Sequence, residues 1–306
     1  MTLTELRYIV AVAREGHFGR AAEACFVSQP TLSVGVHKLE KELGVTLFER
    51  GTNEVGITPV GRKIIAQAQR AIEEAAAIKT LAQQGRDPLC GPLRLGFIYT
   101  VGPYLLPYLT PVLRKRAPAM PLIIEENITA ELAEFLLNGE LDAIVVSLPF
   151  DETAIITEKL YDEAFVVLLP KGHALERKAE LTPRDVVKED SLLLTAGHCF
   201  RDQVLDVCRK PARGDRVGSV LLEGSSLETI RHMVAFGLGV AVVPCSALAV
   251  NRIDTKLLSV RPFAEPVPKR RVALAWRKSF HRPQAVAVVR DAIRAWKLPC
   301  LDTLAD

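Results

Sequence analysis

Apolar and polar positions along the first sixty residues follow a helical period. Leu6, Ile9, Val10 and Ala13 form a stripe that Gly16 closes, predicting a first helix. The alanine-rich run GRAAEAC, Gly19 to Cys25, has side chains small enough to let another helix cross it closely. In SQPTLSVGVHKLEKELG, Ser28 suits an N-cap and Pro30 a first turn. Leu32, Val36, Leu39 and Leu43 form a stripe that ends at Gly44. Residues 45–50 and 56–58 flank a polar turn and predict a two-stranded wing with Arg50 at its base. Thr58-Pro59 then opens a long helix running to about Gln84. Along it Ile64, Ala68, Ala71, Ala75, Ile78 and Ala82 make a heptad seam whose alanines favour close contact with a second copy over packing on its own domain. Gly85-Arg86-Asp87-Pro88 breaks the helix and marks a boundary.

Beyond Gly91 short apolar runs alternate with helical stretches. Strands are predicted at Leu93–Ile98, Leu122–Glu126, Ala143–Ser147, Ala164–Leu169, Ser191–Leu194, Val220–Leu222, Val240–Val243 and Val272–Trp276. Helices are predicted to begin near Pro103, Thr129, Thr182, Cys199, Ser226 and Pro283, with Ser225-Ser226-Leu227-Glu228 in the form of a capping box. The alternation argues parallel sheets covered on both faces, and the length of this part favours two lobes around a cleft. In such sheets ligands bind beyond the carboxyl ends of strands. Thr100, Thr129 and His198-Cys199 lie there. Each threonine alone reads as a helix cap; together they suggest one polar pocket.

Composition narrows this reading. The chain has 306 residues, 49% of them hydrophobic, enough for a sizeable core, and no apolar run approaches the ~20 residues of a membrane span. The start lacks the basic-then-apolar pattern of a secretory signal, so the expected compartment is the cytoplasm, with no membrane association. There thiols are normally reduced, so the six cysteines are not assumed to form a disulfide framework; Cys25, Cys90, Cys245 and Cys300 read as small packed hydrophobes. The net charge of +3 neither demands nor opposes a nucleic-acid partner.

Two short helices joined by a tight turn, the second presenting small polar residues, are what entry into a DNA major groove requires. Periodicity alone leaves a purely structural helical unit open. The run FGRAAEACFVSQPTLSVGVHKLEKELGVTLFER, followed by ITPVGR, resembles the winged helix-turn-helix of LysR-type transcriptional regulators. That resemblance implies DNA contact by Gln29, Pro30, Thr31, Ser33 and Arg50, with helix packing through Leu32, Leu39 and Leu43. It also implies an overall α and α/β architecture: a winged helix-turn-helix over 1–58, a linker and dimerisation helix over 59–87, and an effector domain over 91–306 that is two-lobed like periplasmic binding proteins. Lobe I would take about 91–162 plus 268–306 and lobe II about 163–267, the chain crossing near Leu160–Ala164 and Arg261–Pro268.

The segment GHCFRDQVLDVC sets Cys199 and Cys208 nine positions apart. Cys199 falls where a strand turns into a helix, beside His198 and near Arg201, a setting that favours the thiolate. On a regular helix, nine residues rise about 13.5 Å and turn about 900°, leaving the two side chains on opposite faces. A disulfide needs Cα atoms within about 7 Å, so these two can bond only if the helix unwinds. A zinc site is a weaker reading, since no C-x-x-C pair is present.

GHCFRDQVLDVC, with GFIYTVGPYLLPYL upstream and SSLETIRHMVAFGLGV downstream, is similar to the hydrogen-peroxide-sensing members of the LysR family, from residue 1 to about Trp296. The resemblance implies a regulator, not an enzyme, in which peroxide oxidises Cys199 to a sulfenic acid and Cys208 resolves it to a disulfide. It implies a peroxide pocket of Thr100, Thr129, His198 and Asp202, with Arg270 stabilising the thiolate. The implied partners are operator DNA, RNA polymerase, a cellular thiol reductant and further copies of the chain, as a homodimer assembling to a homotetramer. No metal and no cofactor is called for. Two readings compete: a LysR-type regulator of a small organic anion with structural cysteines, and a thiol peroxidase or oxidoreductase, which leaves residues 1–85 without a role.

Overall fold

A computed structural model describes residues 1–50, 55–84, 89–208, 220–249 and 256–304. The amino-terminal unit is α1 (Leu3–Glu15), α2 (Phe18–Ala24), α3 (Gln29–Leu43), β1 (Phe48–Arg50), β2 (Val55–Ile57) and the long α4 (Pro59–Gln84). Thr2 and Glu5 form a capping box on α1, and Gly16 and Gly44 close α1 and α3 in the left-handed conformation, as their positions in the sequence predict. Gly35 lets α1 approach α3, because a Cβ there would meet Tyr8 at 2.7 Å. Leu32, Val36 and Leu39 are buried in this core, but Leu43, expected there, is 37% exposed at the helix end.

The seam of α4 divides. Ala68 is buried and Ile64 and Ala71 are half-buried in the core of their own winged unit, together with Ile65 and Ile72. This corrects the expectation of a seam given over to a second copy: α1 lies along this part of α4 and covers it. Ala75 is half-buried and Ile78 is 68% exposed, and the side chain of Ala82 lies outside the described residues, as do 85–88.

The rest of the chain forms β3 (Leu93–Ile98), α5 (Gly102–Arg116), β4 (Leu122–Asn127), α6 (Thr129–Leu137), β5 (Ala143–Ser147), β6 (Ile155–Pro170), a 3-10 turn (Ala174–Arg177), α7 (Pro183–Val187), β7 (Ser191–Leu194), α8 (Cys199–Val207), β8 (Val220–Gly224), α9 (Leu227–Ala235), β9 (Ala241–Pro244), α10 (Ser246–Ala249), β10 (Leu258–Pro262), β11 (Lys269–Arg277), α11 (Pro283–Arg294) and β12 (Leu301–Thr303). The strands run β10-β6-β11-β5-β3-β4, with β9 and β12 also on β6, and β7 and β8 pair separately. β5 is buried at every position, as its apolar run AIVVS requires in mid-sheet, whereas β4 at the edge is never fully buried.

The sheets are mixed, not parallel as expected. β3 pairs parallel with β4 and β5, and β7 with β8, but every pairing of β6 and β11 is antiparallel. The predicted strand at Ala164–Leu169 is only the second half of β6. Its first half carries Glu158, Asp162 and Glu163, charges that hide the apolar pattern, and each has a cation waiting in the fold: Arg294, Arg271 and Arg270. α9 is capped by Ser226 through Thr229 N, one residue later than the anticipated box.

α4 is also tied to the larger unit. Arg277 donates to Glu73 and to the carbonyls of Leu136 at the end of α6 and of Leu141 just before β5, and Ser279 donates to Glu73 at 2.8 Å.

Candidate functional site

Three chain segments meet at a cavity of about 10 Å³, lined by Ile98, Tyr99 and Thr100 after β3, Asn127, Ile128 and Thr129 after β4, and His198 and Cys199 after β7. That is the lower limit for one water-sized guest and excludes an organic anion. Gly197 makes the turn: its φ of +97°, a conformation open to glycine, brings the chain round so that His198 and Cys199 face the cavity.

α5, α6 and α8 all begin near this point, and none has a side-chain cap. Thr129 and Cys199, the first residues of α6 and α8, line the cavity, so the positive ends of those two helices lie at it, while α5 begins two residues beyond Thr100. Thr100 and Thr129, whose simplest reading was as caps, are caps of nothing. The Thr100 hydroxyl accepts from Arg270 at 2.7 Å, and the Thr129 hydroxyl is buried with no partner among the described residues. Thr129 Oγ1 is therefore an unoccupied hydrogen-bonding group in the cavity wall. His198 is buried 5.7 Å from the Tyr99 ring, and burial lowers its pKa, favouring the neutral ring.

Arg270 is buried but does not line the cavity. Its Nε donates to Glu163 at 2.7 Å, its other nitrogens hold the hydroxyl and carbonyl of Thr100, and its guanidinium lies 5.2 Å over the Phe200 ring. Expected in the pocket as a group stabilising the thiolate, it stands one residue back and orients Thr100. Arg271 turns the opposite way, to Asp162. Asp202, expected in the pocket, is exposed on the first turn of α8 and is not among the residues lining the cavity. Asn127, Tyr99 and Glu163 were not anticipated; the end of each predicted strand was the signal that would have found the first two.

Cys199 opens α8 and Cys208 ends it as a C-cap, both half-buried free thiols. Burial pushes the Cys208 thiol up to about 11. The intervening helix keeps them apart, as the spacing requires. The reading of the other four cysteines as packed hydrophobes is corrected for two: Cys245 and Cys300 are joined in a disulfide. Their separation of 55 residues gave no hint that β9 and β12 both flank β6. Cys90 is exposed and Cys25 half-buried. No group of three or more metal-ligating residues occurs among the described residues, and no described helix is long and apolar enough to cross a membrane.

On the winged unit Gln29, Pro30 and Thr31 are exposed and Ser33 is half-buried at the start of α3. Ser28 caps the helix, accepting from Thr31 N, and its hydroxyl bonds that of Thr31 at 2.8 Å. Val34, 68% exposed beside them, is an apolar surface residue that helical periodicity passed over. Arg50 ends β1, and its side chain lies outside the described residues.

Residues 3–62 match the family described as bacterial regulatory helix-turn-helix protein, lysR family, and residues 86–297 match the LysR substrate binding domain. The chain belongs to the LysR family. Among LysR-family relatives it is 41% identical to a probable hydrogen peroxide-inducible genes activator of Mycobacterium leprae, covering 92% of this chain and 89% of that protein. It is 35% identical to the DNA-binding transcriptional dual regulator OxyR of Escherichia coli, covering 96% and 95%. Full-length OxyR C199D from Pseudomonas aeruginosa superposes with a TM-score of 0.80 at 55% identity, covering 96% of this chain and 95% of that one.

Proposed function

We propose that this LysR-family chain is a hydrogen-peroxide-sensing transcriptional regulator, binding operator DNA through α3 and the wing. The observation that carries the reading is the cavity itself: room for a very small guest, Cys199 in its wall, an unpartnered Thr129 hydroxyl, and two uncapped helix starts. Cys199 Sγ attacks one peroxide oxygen, the O–O bond breaks and the departing oxygen leaves as water. Thr100, Thr129 and the helix N–H groups stabilise the negative charge that shifts onto that oxygen. The resulting sulfenic acid is attacked by Cys208, releasing a second water and forming the disulfide, which requires α8 to open. In this reading residues 1–58 bind DNA, 59–87 link and dimerise, and 91–306 sense, with lobe I at about 91–162 plus 268–306 and lobe II at about 163–267. The opened segment changes contacts within a dimer or tetramer, and with them the grip on DNA and RNA polymerase. A cytoplasmic thiol reductant resets it.

The organic-anion alternative is disfavoured by charge. In the larger, open depression lined by residues 148–151, Asp162 and 269–271, the three cations Lys269, Arg270 and Arg271 are already paired, with Asp302, Glu163 and Asp162. Mass mapping of thiols before and after a brief stoichiometric peroxide pulse, read beside a DNA footprint, tests the proposal. A Cys199–Cys208 disulfide with an altered footprint is expected. A footprint that still responds to peroxide in a Cys199→Ser protein would overturn it.

A further inference from the structure

Cys245 follows β9 and Cys300 precedes β12, and both strands lie on β6. The Cys245 amide donates to the carbonyl of Ala164 at 3.0 Å, and the Ala164 amide donates to the carbonyl of Cys300 at 3.3 Å. The two cysteines therefore bracket one residue of β6, with Cα atoms 6.3 Å apart. The preceding residue, Glu163, is fully buried. One of its carboxylate oxygens accepts from the Ser246 amide at 3.0 Å and the other from Arg270 Nε at 2.7 Å. Arg270 in turn holds Thr100 at the cavity. A continuous path of short contacts thus runs from Cys245 through Ser246, Glu163 and Arg270 to Thr100.

We propose that Cys245 and Cys300 form a second reversible thiol–disulfide site, separate from Cys199 and Cys208, whose bond clips β9 to β12 across β6 and sets how firmly Thr100 is held at the peroxide cavity. Cys300 is half-buried and follows the exposed Pro299, so oxidant and reductant can reach its sulfur, whereas Cys245 is buried behind it. Cys300 Sγ attacks hydrogen peroxide, the O–O bond breaks, and a sulfenic acid forms with loss of water. Cys245 Sγ then attacks that sulfur, the S–O bond breaks and a second water leaves. Two thiols give up two electrons and two protons, and one peroxide becomes two waters. In the reverse direction two equivalents of an external thiol restore both cysteines and leave as their own disulfide. A disulfide in a chain that keeps Cys25, Cys90, Cys199 and Cys208 free fits a redox couple better than a framework of staples.

Full-length Cys199→Ser protein, in which the proposed Cys199–Cys208 switch is absent, is reduced with dithiothreitol without denaturant, desalted anaerobically and pulsed with hydrogen peroxide. Free thiols are then alkylated and peptides mapped by mass. A linked Cys245–Cys300 peptide should vanish on reduction and return after the pulse. A link that survives reduction of the folded protein, or two cysteines that stay alkylatable in excess peroxide, would overturn the proposal. The coupling to the cavity is read separately, as the rate of Cys199 sulfenic acid formation in a Cys208→Ser background. Bonded protein is compared with the same protein carrying Cys300→Ser and, as a second way of opening the clip, Cys245→Ala. The rate should fall several-fold when the clip is open. An equal rate in all three would refute the link to Thr100 even if the bond itself is reversible.

Discussion

Gln203, in the middle of α8, donates from Nε2 to the Ser147 hydroxyl at 2.9 Å and to the Leu148 carbonyl at 3.2 Å. The switch helix is thereby fastened to the end of β5, and the fastening must be lost whenever α8 unwinds to bring Cys208 to Cys199.

Removing that tie should speed the second chemical step and leave the first alone. Two hydrogen bonds of about 0.5–1.5 kcal/mol each hold the helix, and the Gln203 carbonyl oxygen, buried without a partner among the described residues, offsets part of this. Gln203→Leu should raise the rate of disulfide formation about tenfold, measured by quenched-flow alkylation, with sulfenic acid appearing at the wild-type rate. An unchanged resolution rate would mean that opening is limited elsewhere.

Thr129 should act in the first step. Thr129→Val keeps the shape and deletes the free hydroxyl, so peroxide consumption at Cys199 should slow by about ten- to a hundredfold while resolution is untouched. Competition against a peroxidase of known rate reads this directly, and a wild-type rate would remove Thr129 from the pocket chemistry.

Cys208 carries a pH signature. Its burial holds the thiol protonated up to about 11, against an ordinary value of 9.0. A raised folded-state pKa contributes stability that is complete below about pH 9, where both states keep the proton, and is lost as pH rises from 9 through 11, where the unfolded chain ionises first. In Cys199→Ser protein, iodoacetamide at pH 8 should therefore modify the exposed Cys90 well before Cys208, and chemical denaturation midpoints should fall between pH 9 and 11. A Cys208→Ala partner protein should lack this part of the fall; an identical fall in both would assign it to other groups.

On the DNA side, Thr31 is exposed at the start of α3, its hydroxyl on Ser28. Thr31→Met should weaken specific operator binding by about 1–3 kcal/mol in a mobility-shift titration while the circular dichroism melt stays in place. For association between chains, Ile78→Glu tests the exposed part of α4, whereas Ala71 is engaged within its own unit. Light scattering should show a smaller assembly, and an unchanged mass would exclude this face as a contact.

The first three helices were legible because each is short, amphipathic and closed by its own cap or glycine. The cavity was half legible. Strand ends pointed to Thr100, Thr129 and Cys199, but Asp202 was placed there by resemblance alone, and its side chain is exposed instead. What could not be read was set by partners distant in sequence. The charges of β6 look like a loop until Arg270, Arg271 and Arg294 come to meet them, and Cys245 and Cys300 are unrelated until two strands settle on either side of Ala164. Periodicity also cannot say which surface a stripe faces, and so the seam of α4 was assigned to another chain when α1 takes its first half.

That shared use of α4 makes it a shaft with keyed positions. Ile64 and Ala68 index the winged unit, Glu73 engages Arg277 and Ser279, and Ile78 faces outward, all on one rigid screw. Each residue added to such a screw turns everything beyond it by about 100° and advances it by about 1.5 Å. One alanine inserted after Ala75 would leave the first two engagements untouched and swing Ile78 a quarter-turn or more out of phase, whereas seven would bring it back to within about 20° and only lengthen the shaft. The tolerated lengths of this helix should therefore be those that restore phase, with insertions of about seven, eleven or eighteen residues accepted and single ones not, a constraint that substitution alone would never expose.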